Sequence, residues 1–342
     1  MRRKNNKTLL ITLAVIAALV IFIFYQKSKS SDQTARNASN QKAVVIAYQT
    51  GVDPAKVAQA EGAYEKDSQQ VIQWKKFDAG SDVVNALASG DVDIGNIGTS
   101  PLAAAASRDL PIEVFFIASK LGSSEALVVT NRSAIQTPQD LIGKTIAVPF
   151  VSTTHYSLLS ALKHWQIAED KVKIINLRPP EISAAWERGD IDATYVWEPA
   201  LSKVKASGKV LVDSAQVAEW GAPTYDVWVV RKDFAAKNPE FLKSFVNTSL
   251  TKIESYQQDP KAFASDPNNL DKIAKLTGSE PTDIALVLSG NIYLNRQQQH
   301  DVLRQELAQN ISDTANFLKQ QRKVDKVKAD YSENVATTFL NP

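Results

Sequence analysis

The stretch VDIGNIGTSPLAAAASR, residues 92–108, sets how the rest of the chain is read. Its first half, VDIGNIG, is short, aliphatic and bounded by glycine, the pattern of a buried strand. Its second half turns to alanine and leucine, which favour helix. Ser100-Pro101 marks the helix start, because proline lacks the N–H that would go unsatisfied in a first turn. A buried strand running directly into a helix is half of a βαβ unit. Working outward, AVVIAYQ (43–49) and VIQWKKF (71–77) read as strands. A helix from Pro54 to Tyr64 lies between them, and one capped by Asp82 runs to Ser89. IEVFFIA (112–118) and EALVVT (125–130) follow as further strands.

The alternation then repeats. TIAVPF (145–150), KIINL (173–177), IDATYVW (191–197) and DVWVVR (226–231) read as strands. Helices open at 138, at Ser152 or Thr153, at Pro179-Pro180 and at Pro199. Beyond Asp233 the pattern is helical, including 269–277, 281–290 and 297–320. Strand–helix alternation predicts an α/β fold with two lobes, each a mainly parallel sheet flanked by helices, and a helical C-terminal part. Residues 43–128 and 229–342 are assigned to the first lobe and 129–228 to the second. The strands at 125–130 and 226–231 are the crossings, and a small ligand is expected in the cleft between the lobes.

Charge is unevenly distributed. The net charge of +2 over 342 residues conceals seven basic residues against one acid in the first 39 positions, and an acidic remainder. Nucleic-acid binding expects basic patches on the folded part, so the split counts against that class. MRRKNNK (1–7) precedes the uncharged run TLLITLAVIAALVIFIFY (8–25), so residues 1–25 read as a signal peptide or an uncleaved membrane anchor. Polar residues 26–42 read as a disordered linker. The expected location is the periplasm, with anchoring by residues 8–25 as the alternative. The chain has no cysteine, which excludes disulfides, thiolate metal sites, cysteine nucleophiles and a lipid anchor on cysteine.

Catalysis finds little support. His155, His164 and His300 have no metal-ligand spacing, and the nucleophile-elbow and phosphate-loop motifs are absent. No metal and no cofactor is expected. Binding finds more. Gly98-Thr99-Ser100-Pro101 and Val151-Ser152-Thr153-Thr154-His155 both place hydroxyls where a helix begins, and the free N–H groups of a first turn favour an anion. Any one such junction is ordinarily a helix cap; two at matching places in successive α/β units point to a shared oxyanion. Acids offer the opposite polarity: Glu125, Glu198 after Trp197, and Asp226, which opens an apolar strand and suggests a cation partner. Gln49, after the first strand, belongs to the same polar group, and Tyr48, Tyr156 and Trp197 are candidates to wall the site.

These residues lie in blocks that resemble the periplasmic taurine-binding proteins of ABC transporters, within the aliphatic sulfonate, nitrate and taurine family. The blocks are VIAYQTGVDPAKVAQA (45–60), WKKFDAGSDVVNALASGDVDIGNIGTSPLAAAAS (74–107), PIEVFFIASKLGSSEALVV (111–129), DLIGKTIAVPFVSTTHYSLLSALKHW (140–165), AAWERGDIDATYVWEPA (184–200) and WGAPTYDVWVVRKDF (220–234). The similarity continues to DYSENVATTFL near the end. It implies the two-lobe, type II periplasmic-binding fold, capture of taurine, and delivery to a permease with its ATPase for sulfur acquisition, by a monomer. Taurine carries a sulfonate and an ammonium, and burying both requires a partner for each. By motif position, Thr99, Ser100, Ser152, Thr153 and Thr154 would take the sulfonate. Asp226, helped by Glu198, would take the ammonium; Gln49 and Tyr48 would orient the ligand and Trp197 would cover it. Two departures stand out: the long leader, and Thr99 where relatives carry serine. The competing readings are a binder of other alkanesulfonates and, from another class, an exported hydrolase using Ser152 or His155. A DNA-binding regulator would need a helix-turn-helix that residues 1–42 do not supply.

Overall fold

Apolar runs near the start of the described region, residues 43–340 of the computed structural model, form β1 (Val44–Tyr48) and β2 (Ile72–Lys76). The readings made for residues 1–25 and 26–42 lie outside the described residues. Two short helices, α1 (Lys56–Glu61) and α2 (Ala63–Ser68), connect β1 to β2. Then come α3 (Gly80–Ser89), β3 (Ile94–Gly98), α4 (Thr99–Ser107) and β4 (Ile112–Lys120). Asp82 was expected to cap α3; Ala79 holds that position, and Asp82 sits inside the first turn.

The decisive stretch is a buried strand entering a helix, and its two glycines have separate steric reasons. A Cβ on Gly95 would lie 2.5 Å from Val83 Cγ1, so its absence lets α3 pack down on the sheet. A Cβ on Gly98 would lie 2.6 Å from Thr153 Cγ2, a residue of the opposite lobe.

The second half contains β5 (Glu125–Thr130), β6 (Thr145–Val148), α5 (Thr153–His164), β7 (Lys173–Asn176), α6 (Pro179–Arg188), β8 (Ala193–Trp197) and α7 (Ala200–Lys205). β9 (Gly208–Asp213) and α8 (Ser214–Glu219) precede β10 (Tyr225–Arg231). The sequence reading passed over β9. Val210 is 39% exposed at the edge of its sheet, so GKVLVD lacks the apolar run that marks the central strands.

Two five-stranded sheets result, ordered β2-β1-β3-β10-β4 and β7-β6-β8-β5-β9. In the first, β1 pairs in parallel with β2 and β3, whereas β10 is antiparallel to β3 and β4. The second repeats this, β6 being parallel to β7 and β8, and β5 antiparallel to β8 and β9. The sheets are thus mixed where mainly parallel ones were expected. The strand entering each sheet from the other lobe runs against the rest. β5 belongs to the second sheet from Glu125 and β10 to the first from Tyr225, so the crossings fall at 121–124 and 220–224, a few residues before the expected boundaries. The two crossings touch, with Leu121 N–H donating to Thr224 O at 2.9 Å.

The second sheet is covered on both faces, which explains its unbroken apolar strands. Leu127, Val129, Ile146, Val148 and Tyr195 face α5 and α8, while Ala126, Val128, Ala147 and Val196 face α6 and α7. The first sheet is buried by the C-terminal part: α9 (Lys232–Lys237), α10 (Pro239–Gln258), α11 (Pro260–Ser265), α12 (Pro267–Thr277), α13 (Pro281–Ser289), α14 (Arg296–Asp301) and α15 (Leu307–Gln320). Four of these helices open on proline, as a first turn allows. A π turn at Val302–Glu306 interrupts the single helix expected over 297–320. Phe245 of α10 stacks on Tyr64 at 4.5 Å and meets Phe115 of β4 edge-on at 5.5 Å, fastening the helices to the sheet.

Candidate ligand-binding cleft

Carboxyl ends of parallel strands are where open α/β sheets leave a crevice, because the chain turns outward there into helices on opposite faces. Gln49 follows β1, Gly98 ends β3, and Trp197 ends β8. Together with Ser152 and Thr153 at the start of α5 they line one cleft between the sheets, of about 570 Å³ including its open mouth. Gly51, Val52, Gly80, Pro101, Leu121, Ser124, Glu125, Glu198 and Asp226 complete the wall, with Val287 and Asn291 from the C-terminal part.

Six of the ten expected site residues line this cleft: Gln49, Ser152, Thr153, Trp197, Glu198 and Asp226. The side chains of the other four are not on its wall. Tyr48 is buried against Trp74, 6.2 Å between rings, with Lys56 Nζ 5.1 Å from its ring centre, so it is a core residue and not a wall. Thr99 Oγ1 accepts from the N–H of Tyr225 at 3.4 Å, which turns it toward the crossing strand. Ser100 Oγ is buried without a partner among the described residues. Thr154 Oγ1 lies 2.8 Å from Ser152 Oγ and braces the helix start from behind. At α4 it is Gly98 and Pro101 that reach the cleft.

The α5 start is built from its own sequence. Ser152 caps the helix, its Oγ accepting from His155 N–H at 3.1 Å while donating to Pro149 O at 2.5 Å. Val151 before it holds φ at +58°, a left-handed conformation costly for a β-branched residue, and this turn aims Ser152 and Thr153 inward. The His155 ring stacks on Phe150 at 4.7 Å, and burial pushes its imidazole down to about 4. It reaches Ser152 through the main chain, so no serine–imidazole pair forms here.

Buried acids line the rest of the cleft. Asp226 pairs with Gly98 in the sheet, next to the α4 start, and burial with the nearby Asp53 pushes its carboxyl up to about 6, Lys56 opposing. Glu125, cross-strand from Trp197, is 4% exposed. Burial pushes it up to about 8, the Thr153 hydroxyl pulling against this and Asp226 adding to it. Glu198 is raised by burial and held by the Ser202 N–H and hydroxyl at 3.1 and 2.9 Å. Behind Asp226 lies Lys56, 2% exposed, its Nζ 3.8 Å from Asp53 Oδ2. Burial pushes this ammonium down. Asp53 and Asp226 thus share one buried ammonium, an imbalance that favours a cationic ligand group. Among the described residues no three His, Asp or Glu side chains form a metal-ligand group.

Sequence reasoning weighed Glu125 as an acid but did not place it in the site, and it missed Ser124 and Asn291. Asn291 Oδ1 accepts from Gly122 N–H at 3.0 Å and Ser124 Oγ at 2.6 Å, tying the C-terminal part to the first crossing. Its only local signal is the Gly290-Asn291 pair between two helices.

A cleft between two mixed sheets, joined by two touching crossings and lined by a helix start and buried acids, defines a two-lobe solute-binding protein. The chain belongs to the family described as the substrate binding domain of ABC-type glycine betaine transport systems, matched over residues 42–273. It is 54% identical over 297 residues to the taurine-binding periplasmic protein of Escherichia coli (strain K12), covering 87% of this chain and 92% of that one. A putative aliphatic sulfonates-binding protein of Bacillus subtilis (strain 168) is 25% identical, with 95% of each chain covered. Among solved structures, the alkanesulfonate-binding protein of Xanthomonas axonopodis pv. citri, bound to MOPS, shares the fold with a TM-score of 0.69 at 21% identity. The match covers 84% of this chain and 96% of that one.

Proposed function

We propose that the protein captures taurine in the cleft and delivers it to an ABC transporter permease driven by its ATPase. The observation that carries this reading is that helix-start donors at Ser152 and Thr153 of the second lobe and the carboxyl of Asp226 of the first line one cleft. A zwitterion two carbons long needs both at once. The sulfonate lies at the α5 start, where free N–H groups and the helix dipole favour negative charge. The ammonium lies on Asp226, and Glu198 and the side-chain oxygen of Gln49 complete that end. Gln49 Nε2 is already committed to Asn96 O at 3.0 Å, which leaves its oxygen as the acceptor. The similarity to a taurine-binding relative at 54% identity supports the same ligand.

The protein acts as a binder, not an enzyme: the hydroxyl of Ser152 is spent on Pro149 O, and the His155 ring does not reach it. It works as an exported monomer in the periplasm, with the apolar leader directing export. The lobes are residues 43–124 with 225–342, and 125–224, and they close over the ligand.

Titration calorimetry of the purified protein tests this with taurine, ethanesulfonate and longer alkanesulfonates. Taurine should bind tightest, because ethanesulfonate leaves Asp226 without a cation. Equal affinity for ethanesulfonate would overturn the ammonium assignment, and a preference for long alkanesulfonates would favour a general sulfonate binder.

A further inference from the structure

Glu125 has an odd position for an acid: it stands on the anion side of the cleft. No Lys or Arg pairs with it among the described residues. Both of its oxygens meet hydroxyls. Oε1 lies 2.5 Å from Thr153 Oγ1, and Oε2 lies 3.1 Å from Ser214 Oγ. Ser214 in turn meets the Tyr195 hydroxyl at 2.9 Å and Ser157 Oγ at 3.3 Å. Thr153 is the first residue of α5 and lines the cleft.

A threonine hydroxyl has one proton. With Glu125 ionised, that proton is committed to Oε1, and Thr153 offers the cleft only lone pairs, which repel an anion. With Glu125 neutral, the acid donates its own proton to Thr153 Oγ1. The threonine proton is then free to turn into the cleft. We propose that Glu125 is a positioning residue that acts through Thr153: protonated, it makes the Thr153 hydroxyl a donor to the bound sulfonate, and ionised, it withdraws that donor. This rests on the proposed placement of the sulfonate at the α5 start.

The surroundings favour the neutral acid. Burial pushes Glu125 up to about 8; the Thr153 hydroxyl opposes this, Asp226 on β10 adds to it, and Ser214 on α8 opposes it. Tyr195 on β8 and Ser157 on α5 face the network as neutral hydroxyls. The sign follows. Affinity is complete while Glu125 is protonated and falls as pH rises through about 8, by about tenfold per further unit.

Calorimetry on the full chain tests this, titrating taurine from about pH 6 to about pH 9 in buffers of different ionisation enthalpy. Glu125→Gln serves as the control, since its amide donates to Thr153 at every pH and it shares taurine's own amine titration. Wild type should lose affinity above about pH 8 and take up protons on binding, beyond what E125Q shows. Thr153→Ser should keep both effects, whatever its affinity, and Thr153→Val should abolish them. If wild type and E125Q follow the same pH profile with the same proton uptake, the relay is wrong. If E125Q abolishes binding at every pH, Glu125 is an ionised partner of the ammonium and the relay is wrong. Absence of taurine binding to wild type at all pH values would overturn the proposed function and this inference with it.

Discussion

A carboxyl buried without a cation is among the least comfortable side chains in a folded protein, and it marks a site that expects company. Asp226 was legible for that reason: an acid opening an apolar strand is out of place unless something pairs with it. Replacing it with asparagine should weaken taurine binding by about 2–5 kcal/mol, read by calorimetry. Unchanged affinity would place the ammonium elsewhere. Tyr48, Thr99 and Ser100 were read as ligand contacts because they sit at strand ends and helix starts. Sequence gives the position along an element, not which way a side chain turns once the second lobe arrives.

The same acids set a pH dependence of stability without ligand. The carboxyls of Asp226 and Glu125 are raised above ordinary values, so the folded state holds more protons than the unfolded chain. The stability they contribute is whole below the ordinary carboxyl range and is lost as pH rises through about 6 and then about 8. Carboxyls lowered by ion pairs, such as Glu61 with Lys252 and Lys272, work oppositely, but only in acid. Buried His155, pushed down to about 4, also works oppositely up to its ordinary value of 6.5, so the thermal midpoint of the ligand-free protein should fall between about pH 6.5 and pH 9. E125Q should remove the upper part of that fall. A midpoint that rises over the same interval would contradict the assignment.

At the scale of elements, apolar runs announced the central strands and hydroxyls announced the α5 start. Two features were hidden. Strand polarity was one, because whether β5 and β10 run with or against their neighbours depends on the path between lobes. β9 was the other, being half-exposed and flanked by lysine. Ser152→Ala should lower stability by about 0.5–2 kcal/mol in chemical denaturation, the usual cost of a lost N-cap. Gly98→Ala discriminates more finely. Gly98 has a φ of −79°, so alanine suits its backbone, but the new methyl would meet Thr153 Cγ2 at 2.6 Å. Ligand-free stability should change little, while taurine affinity should fall at least tenfold because the lobes cannot meet. A large loss of ligand-free stability would mean that Gly98 serves packing within its own lobe.

At the scale of the molecule, contacts cross from lobe to lobe beyond the cleft floor. Thr50 Oγ1 donates to Glu198 O at 2.8 Å, and at the rim Arg178, at the start of α6, reaches Asp82 of α3 at 2.9 Å. The two-lobe plan was readable from the repeated alternation of strands and helices; these contacts were not, since they join residues 148 and 96 positions apart. Solution X-ray scattering should show a smaller radius of gyration with taurine than without it. Equal radii would mean the lobes do not move.

The rim pair has a practical corollary. Arg178 and Asp82 are 55% and 24% exposed, so their ion pair adds at most about 1 kcal/mol and both positions tolerate change. Because the chain contains no cysteine of its own, two cysteines placed there would be its only thiols. Dyes attached to them would sit at the two lips of the cleft, converting each capture event into a change of emitted light and the protein into an optical gauge for its ligand.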